Sequence, residues 1–286
     1  MAFRLQKGEA VDAGFRRSVL EQIDSAIDHL SGPIEERQQA VHETRKSFKR
    51  IRALLRLLRP HLGEVFGHEN ARIRDLSALL SPYRDADAML ETLAKLHQAL
   101  PELIDQPMYQ AAHASLLRSR EQVVEDAAGY PHAAARVVEG LEEARNGVGD
   151  WPVPHSLEEV QGLLQKTYKR ARKAFVQASE SGEVEDFHTW RKRVKDLLYQ
   201  SQLLRDTPLA LPKPFHQSLA GFAELLGDHH DLTVFEELLA QPEVFADQQH
   251  ASEVLEAVTH RRVQLQEDAI RSGGELFGQP AKRFFS

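Results

Sequence analysis

The sequence predicts an all-α protein made of two similar helical bundles. Apolar residues recur about every 3.6 positions along nearly the whole chain, and no sustained alternation of β-branched residues is present. Two separate patterns also recur at one offset of 146 residues. An internal duplication of this kind predicts two four-helix-type bundles, with additional helices, that are related by an approximate two-fold axis.

Proline and glycine mark where these helices begin and end. Ser31-Gly32-Pro33 precedes a long helix that we expect to close at Pro60, and Ser81-Pro82 opens another. The strongest break is Asn146–Ser156, which contains two Gly and two Pro in eleven residues. We therefore divide the chain there, into bundles of residues 1–148 and 149–286. Further turn signals lie at Pro101, Pro107, Gly129-Tyr130-Pro131, Gly182 and 206–214.

Composition excludes several classes of protein. The 286 residues include no Cys, which excludes a disulfide framework, a thiolate nucleophile and a Cys-ligated metal site. The longest stretch without Asp, Glu, Lys or Arg is the twelve residues Gln106–Leu117, short of the roughly 20 apolar residues that span a bilayer. The charged start, Met1–Gly14, is not typical of an export signal. We expect a cytoplasmic protein without a membrane segment.

The net charge of −7 is distributed unevenly along the chain. Residues 42–59 carry seven Lys or Arg and one acid, and residues 166–195 carry nine and four. These segments have net charges of +6 and +5, so the other 238 residues carry −18. Such a concentration of cations on an acidic body indicates a localised anion site rather than a general nucleic-acid coat.

Both basic segments place their cations on one face of a predicted helix. In the first segment the cations lie opposite Phe48 and Leu55, and in the second opposite Phe187 and Val194. The face on the first of these helices is about 25 Å long at 1.5 Å per residue. The first face consists of His42, Arg45, Lys49, Arg52, Arg56 and Arg59; the second consists of His188, Arg191, Lys192 and Lys195, with Lys166, Lys169, Arg170 and Lys173 on the helix before it.

The arrangement of these cations indicates the class of ligand. Like charges three or four residues apart repel by about 0.2–0.5 kcal/mol per pair, so the faces need an external anion or acids from neighbouring helices. A simple solvated face and intramolecular pairing both remain open. A long row of cations suits an extended polyanion with many contacts. Few aromatic residues lie among the cations and no nucleic-acid motif is present, which disfavours RNA and DNA.

Two doubled motifs carry a resemblance to a known family. The pattern His42-x-x-Arg45-Lys46-x-x-Lys49 recurs as His188-x-x-Arg191-Lys192-x-x-Lys195, and Arg84-Asp85 corresponds to His230-Asp231. With the opening FRLQKGE and a helix after it, this set resembles the conserved histidine α-helical domain (CHAD) family over about residues 3–280.

The resemblance implies a basic channel between two bundles that binds inorganic polyphosphate without catalysis or cofactor. Phosphate or sulfate would fit the same site. It also implies a setting at polyphosphate granules or beside polyphosphate-metabolising enzymes. The channel residues that it implies are His42, Arg45, Lys46, Lys49, Arg52, His188, Arg191, Lys192 and Lys195. The sequence departs from the family pattern at two positions of the second half. Asp196 is the counterpart of Arg50 there, and Leu198 is the counterpart of Arg52.

Other functions remain open at this point. Asp228-His229-His230-Asp231 superficially resembles the His-Asp step of a metal-dependent phosphohydrolase. We favour a structural role for these residues, with Asp231 and its counterpart Asp85 capping helices or orienting Arg and His groups. The basic faces could instead hold RNA or an acidic protein. We expect His42 and His188 to contact phosphate in a pH-sensitive way, because surrounding cations lower the proton affinity of imidazole.

Overall fold

All regular secondary structure in the described part of the chain is helical. The computed structural model describes residues 3–125, 129–239 and 248–281. These residues form ten α-helices, with short 3₁₀ turns at Ile34–Glu36 and Val148–Asp150, which confirms the predicted all-α class. The helices are α1 (Val11–Leu30), α2 (Arg37–Leu62), α3 (Glu64–Leu79), α4 (Ser81–Ala99), α5 (Gln106–Glu125), α6 (Gly129–Gly147), α7 (Leu157–Ser181), α8 (Val184–Leu203), α9 (Lys213–Leu239) and α10 (Gln248–Phe277).

Two helical hairpins lie at the centre of the fold. Helices α1 and α2 pack together, as do α7 and α8, and α2 also packs on α8. Helix α1 begins at Val11 and α7 at Leu157, which is the predicted offset of 146 residues. The positions of these helices therefore follow the repeat seen in the sequence, while the duplication and the two-fold axis stay predictions.

One long helix in the second half replaces two helices in the first. At an offset of 146 residues, α9 spans positions that belong to both α3 and α4. In the first half, Pro82 lies in the first turn of α4, and a proline there removes the hydrogen bond that would continue α3. The counterpart of Pro82 is Asp228, which has its backbone N–H, so α9 continues through this point.

The predicted end of α2 is wrong by two residues. Pro60 lies inside the last turn of α2, which continues to Leu62. Pro60 removes only one backbone hydrogen bond near the helix end, so the helix tolerates it. Gly63 follows with φ of 54°, a backbone conformation that glycine adopts without steric strain, and the helix ends there.

The described apolar residues form two cores, and both halves contribute to each. The larger core joins the hairpins and includes Phe15, Leu55 and Trp190. The smaller core lies where α4 and α5 meet α9 and α10. The predicted boundary segment is itself packed, since Trp151 is buried and its carbonyl accepts a hydrogen bond from Arg16 at 3.0 Å. The division at residues 148 and 149 stays a prediction about the repeat, because the cores are shared across it.

None of the described helices has both the length and the apolar character needed to cross a membrane.

The contact between α10 and Trp190 gives a test of the fold. A Cβ atom added at Gly273 would lie 2.4 Å from Cη2 of Trp190, a side chain that is fully buried. Because the ring has no free space to move into, we expect Gly273→Ala to lower the free energy of unfolding by about 1–3 kcal/mol. Urea denaturation measures this change.

The neighbouring glycine provides the control. A Cβ atom at Gly274 meets nothing within 4 Å. Gly274→Ala should therefore raise the free energy of unfolding by up to about 1 kcal/mol, since alanine favours a helix over glycine. Equal effects of the two substitutions would contradict the packing of Gly273 on Trp190.

Candidate anion-binding groove

A basic cavity lies between α2 and α8. Its volume is about 380 Å³. Its described lining contains seven basic side chains, one carboxylate and one phenol, namely Lys49, Arg52, Arg56, Arg191, Lys192, Arg193, Lys195, Asp196 and Tyr199. We call this cavity the groove.

The apolar faces of the two helices determine where the cations lie. Phe48 and Leu55 bury one face of α2, and Trp190 and Val194 bury one face of α8. Residues on the other faces are left to meet where the helices pack against each other. Gln200 fixes that contact, because its side-chain amide donates a hydrogen bond of 2.9 Å to the carbonyl of Ala53. The core thus holds two basic helix faces against one cavity.

Arg45 is held by the junction of α3 and α4. Its guanidinium donates hydrogen bonds to Oγ of Ser81 at 2.7 Å and to the carbonyl of Ser77 at 3.4 Å. One of its nitrogens also lies 3.9 Å from Oδ1 of Asp85. This contact agrees with the expectation that Asp85 orients an arginine. The break at Pro82 therefore supplies the groups that position Arg45.

Lys49 is exposed to solvent in the groove, yet the protein around it alters its pKa. Protein atoms near its ammonium group reduce its hydration, and this is the main cause that lowers the pKa of Lys49 to about 8. Arg45, Arg191, Lys195 and Arg84 lower it further by repulsion. Cations from α2, α4 and α8 therefore share one electrostatic field, and a bound anion would reverse the effect.

Two histidines from the second half contact each other beside the groove. The Nδ1 atoms of His188 and His230 are 3.1 Å apart, so one ring donates a hydrogen bond to the other. Burial lowers the pKa of both, and with the repulsion of Arg191 it lowers the pKa of His230 to about 3. Burial and the charge of Arg84 also lower the pKa of His42. These imidazoles are neutral at pH 7 in the ligand-free protein.

The sequence Asp228-His229-His230-Asp231 does not form one site. His229 is buried in the core with its ring stacked on Phe187 at 4.9 Å, whereas His230 contacts His188. Asp231 interacts with Arg191, and burial raises the pKa of this carboxyl. Successive side chains on a helix point about 100° apart, which explains why the three diverge. Within the described residues, no group of three or more His, Asp or Glu side chains is arranged to hold a metal ion.

The structure brings together some of the predicted residues and separates others. Lys49, Arg52, Arg56, Arg191, Lys192 and Lys195 line the groove. His42, Arg45 and Lys46 precede these residues on α2, where Lys46 pairs with Glu43 at 3.1 Å. Lys166, Lys169, Arg170 and Lys173 are exposed on α7 and are not among the lining residues, so their role in binding stays a prediction.

The packing of helix α6 explains why the α7 cations are exposed. It packs on α1, and Arg145 of α6 pairs there with Asp24 at 2.9 Å. Arg170 is the counterpart of Asp24 at the 146-residue offset, and it is exposed. The basic face of α7 is therefore an outer surface that corresponds to a covered face of α1.

Four groups at the groove were not among the predicted binding residues, although the sequence analysis named two of them, Arg84 in a doubled motif and Asp196 as a departure from the family pattern. Arg193, Asp196 and Tyr199 belong to the lining, and Arg84 contributes to the field around Lys49. Arg84 had a usable signal, because it belongs to the second doubled motif with His230. Arg193 and Tyr199 had none, since neither lies on the predicted basic face.

Comparison with known proteins identifies the family. A family model of the CHAD domain matches residues 17–240. The chain belongs to the CHAD family. Among solved structures, the CHAD domain from the plant Ricinus communis is similar, with 21% sequence identity, a TM-score of 0.62 and 96% of each chain covered. PptA from Streptomyces chartreusis is similar with 16% identity and a TM-score of 0.59, over 96% of this chain and 100% of that one. No curated protein matches the chain.

The contact between His188 and His230 predicts how stability depends on pH. The unfolded state binds a proton at His230 below about pH 6.5, whereas the folded state resists it until about pH 3. The free energy of unfolding therefore falls as the pH is lowered from 6.5 to 5. We expect His230→Gln to reduce this slope by up to one proton, or about 1.4 kcal/mol per pH unit.

Chemical denaturation at several pH values measures this slope. His132→Gln, which removes an exposed histidine of α6, is the matched control. A slope in His230→Gln that equals the wild-type slope would show that His230 is protonated normally in the folded protein.

Proposed function

We propose that this CHAD protein binds inorganic polyphosphate in the groove without catalysing a reaction. The observation that carries the proposal is the groove lining, in which seven basic side chains from two helices surround a cavity with a single carboxylate among its described residues. Attachment to polyphosphate granules, in the cytoplasm and in contact with enzymes of polyphosphate metabolism, is the cellular setting that we propose for this activity.

The length of the basic surface favours a chain of phosphates over a single phosphate. From Arg45 to Arg52 the α2 cations extend over about 10 Å at 1.5 Å per residue. A single phosphate needs only two or three donors, whereas each further phosphate of a chain adds charge-assisted contacts and releases counterions. A narrow cavity of about 380 Å³ also admits a thin chain more readily than a double helix.

Three cations of the groove lack a close carboxylate among the described residues, and this favours binding of an external anion. No carboxylate of the described chain lies within 4.0 Å of the charged groups of Lys49, Arg191 or Lys195. The helices hold these cations near each other, and their repulsion adds to the effect of reduced hydration in lowering the pKa of Lys49. A polyanion would neutralise this repulsion on binding. Membership of the CHAD family also supports the proposal, since the resemblance to that family implies polyphosphate binding.

The groups beside the groove support binding rather than turnover. The neutral imidazoles of His188 and His230 hydrogen bond to each other, and Asp196 accepts hydrogen bonds from Arg56. Each of these groups is therefore engaged with another protein group instead of being free to activate water. Incubation with polyphosphate should leave the chain length unchanged, whereas release of phosphate by the pure protein would contradict this part of the proposal.

Charge reversal in the groove tests the proposed ligand. We expect Arg45→Glu with Arg191→Glu to lower the affinity for long-chain polyphosphate at least 100-fold, because two attractive contacts become repulsive. Isothermal titration calorimetry measures the affinity, and circular dichroism checks the helical fold.

Two exposed cations of α7 provide a control with the same change of net charge. Lys169→Glu with Lys173→Glu should weaken binding only slightly if the groove is the site. Equal losses in both double variants would place the binding surface on α7 as well. In a competition experiment at physiological salt, polyphosphate should displace RNA and acidic proteins; failure to do so would favour those ligands instead.

The lowered pKa of Lys49 predicts proton uptake on binding. At pH 8 the free protein holds about half a proton on Lys49, and bound phosphate raises its pKa, so binding should take up about half a proton. The affinity should fall between pH 7 and pH 9 for the same reason. Calorimetry at pH 8 in buffers with different enthalpies of ionisation measures the uptake.

Lys49→Arg is the matched variant for this measurement. Arginine keeps the positive charge and stays protonated throughout this range, so the variant should bind with less proton uptake and a flatter pH dependence. Undiminished uptake in Lys49→Arg would show that another group takes up the proton.

A further inference from the structure

One acid lies inside the basic groove. Asp196 belongs to the lining, and only 4% of its surface is exposed. Its Oδ1 accepts a hydrogen bond of 2.7 Å from Nε of Arg56, and its Oδ2 lies 3.8 Å from a guanidinium nitrogen of Arg193. Asp196 therefore lies between a cation of α2 and a cation of its own helix, α8.

A carboxyl group that is buried in this way stays ionised only if cations or hydrogen-bond donors lie close to it. Burial raises the pKa of Asp196, and Arg56 is the cation that opposes this effect most strongly. A charge-assisted hydrogen bond between a guanidinium and a buried carboxylate is strong and well oriented. Arg56 is consequently engaged by the protein itself, although it lines the groove.

The rest of the groove differs in this respect. Lys49, Arg191 and Lys195 have no carboxylate of the described chain within 4.0 Å. The cations in one part of the groove are thus available to a ligand, whereas in another part the carboxylate of Asp196 already pairs with Arg56.

The first half of the chain has no equivalent of this acid. The counterpart of Asp196 at the 146-residue offset is Arg50. Arg50 donates a hydrogen bond of 3.0 Å to Oε1 of Gln22 and lies 5.5 Å from the centre of the Phe3 ring. It is not among the residues that line the groove. Asp196 therefore gives the groove a carboxylate that has no counterpart in the first half of the chain.

We propose that Asp196 determines how much of a polyphosphate chain the groove holds. Its carboxylate pairs with Arg56 and repels phosphate. The segment that binds phosphate therefore includes Lys49, Arg191 and Lys195 and ends before Arg56. This inference rests on the proposed function, because it concerns the ligand of the same groove.

Asp196→Asn tests the inference directly. The substitution should raise the affinity for long-chain polyphosphate about tenfold, and less for tripolyphosphate. It should also make the plot of log affinity against log salt concentration steeper by about 0.7 for each added phosphate contact. An unchanged affinity and salt slope in a folded Asp196→Asn protein would overturn the inference.

Asp75→Asn controls for net charge. Asp75 pairs with Arg74 at 2.8 Å, and both side chains are exposed outside the groove lining. The control changes the net charge by the same amount as Asp196→Asn. If both variants bind equally more tightly, overall charge is the cause and the inference is wrong.

A second pair of variants checks the source of the gain in affinity. Asp196→Ser removes the same carboxylate with a smaller side chain, so it should tighten binding as Asp196→Asn does, and it keeps the test available if that variant does not fold. Arg56→Met with Asp196→Leu removes both the carboxylate and the arginine that it holds, a replacement that proteins often tolerate. Because no arginine is released, this double variant should bind polyphosphate more weakly than the single variants at Asp196. Equally tight binding would show that the gain does not come from Arg56 and would overturn the inference.

The wild-type protein separates this inference from the proposed function. Absence of polyphosphate binding by the wild type contradicts the function itself. Binding that is lost in Arg45→Glu with Arg191→Glu but is not tightened by Asp196→Asn contradicts only the role of Asp196.

Discussion

The packing of α2 against α8 is the constraint on which the site depends. Apolar side chains such as Phe48 and Trp190 bury one face of each helix, and burial of a large side chain contributes about 1.5–3 kcal/mol. The repulsion between like charges on a helix is about 0.2–0.5 kcal/mol per pair. The core therefore stabilises an arrangement of cations that would not form by itself. Lys49 and Lys195 stay close because the helices beneath them are held together.

The fold class and the start of α4 could be predicted because they depend on local patterns. The period of apolar residues reports a helix wherever it occurs, and Ser81-Pro82 marks the start of α4. The end of α2 was predicted wrongly because Pro60 was interpreted as a stop, although a proline in a last turn breaks few hydrogen bonds. The shared cores could not be predicted, since they depend on which helices meet rather than on any one helix.

The site could be predicted only in part for the same reason. A helical wheel shows that Arg45, Lys49 and Arg56 share a face, but it does not show what each side chain contacts. In the structure Arg45 donates a hydrogen bond to Ser81 and Arg56 donates one to Asp196, whereas no carboxylate of the described residues lies within 4.0 Å of the ammonium group of Lys49. Similarly, the charge of Lys166 and Lys173 is evident from the sequence, yet their exposure depends on α6 covering α1 and not α7.

The difference between the two halves of the chain has a physical consequence for any ligand in the groove. A symmetric pair of basic helices would give a bound chain two equivalent directions and equivalent ends. Here the second half contributes a paired histidine, His230, where the first has Arg84, and a buried acid, Asp196, where the first has Arg50. Charge is therefore concentrated around Lys49, Arg191 and Lys195 and falls toward Arg56. Because electrostatic attraction follows this gradient, an anion bound in the groove would be attracted most strongly around Lys49, Arg191 and Lys195 and less strongly near Arg56.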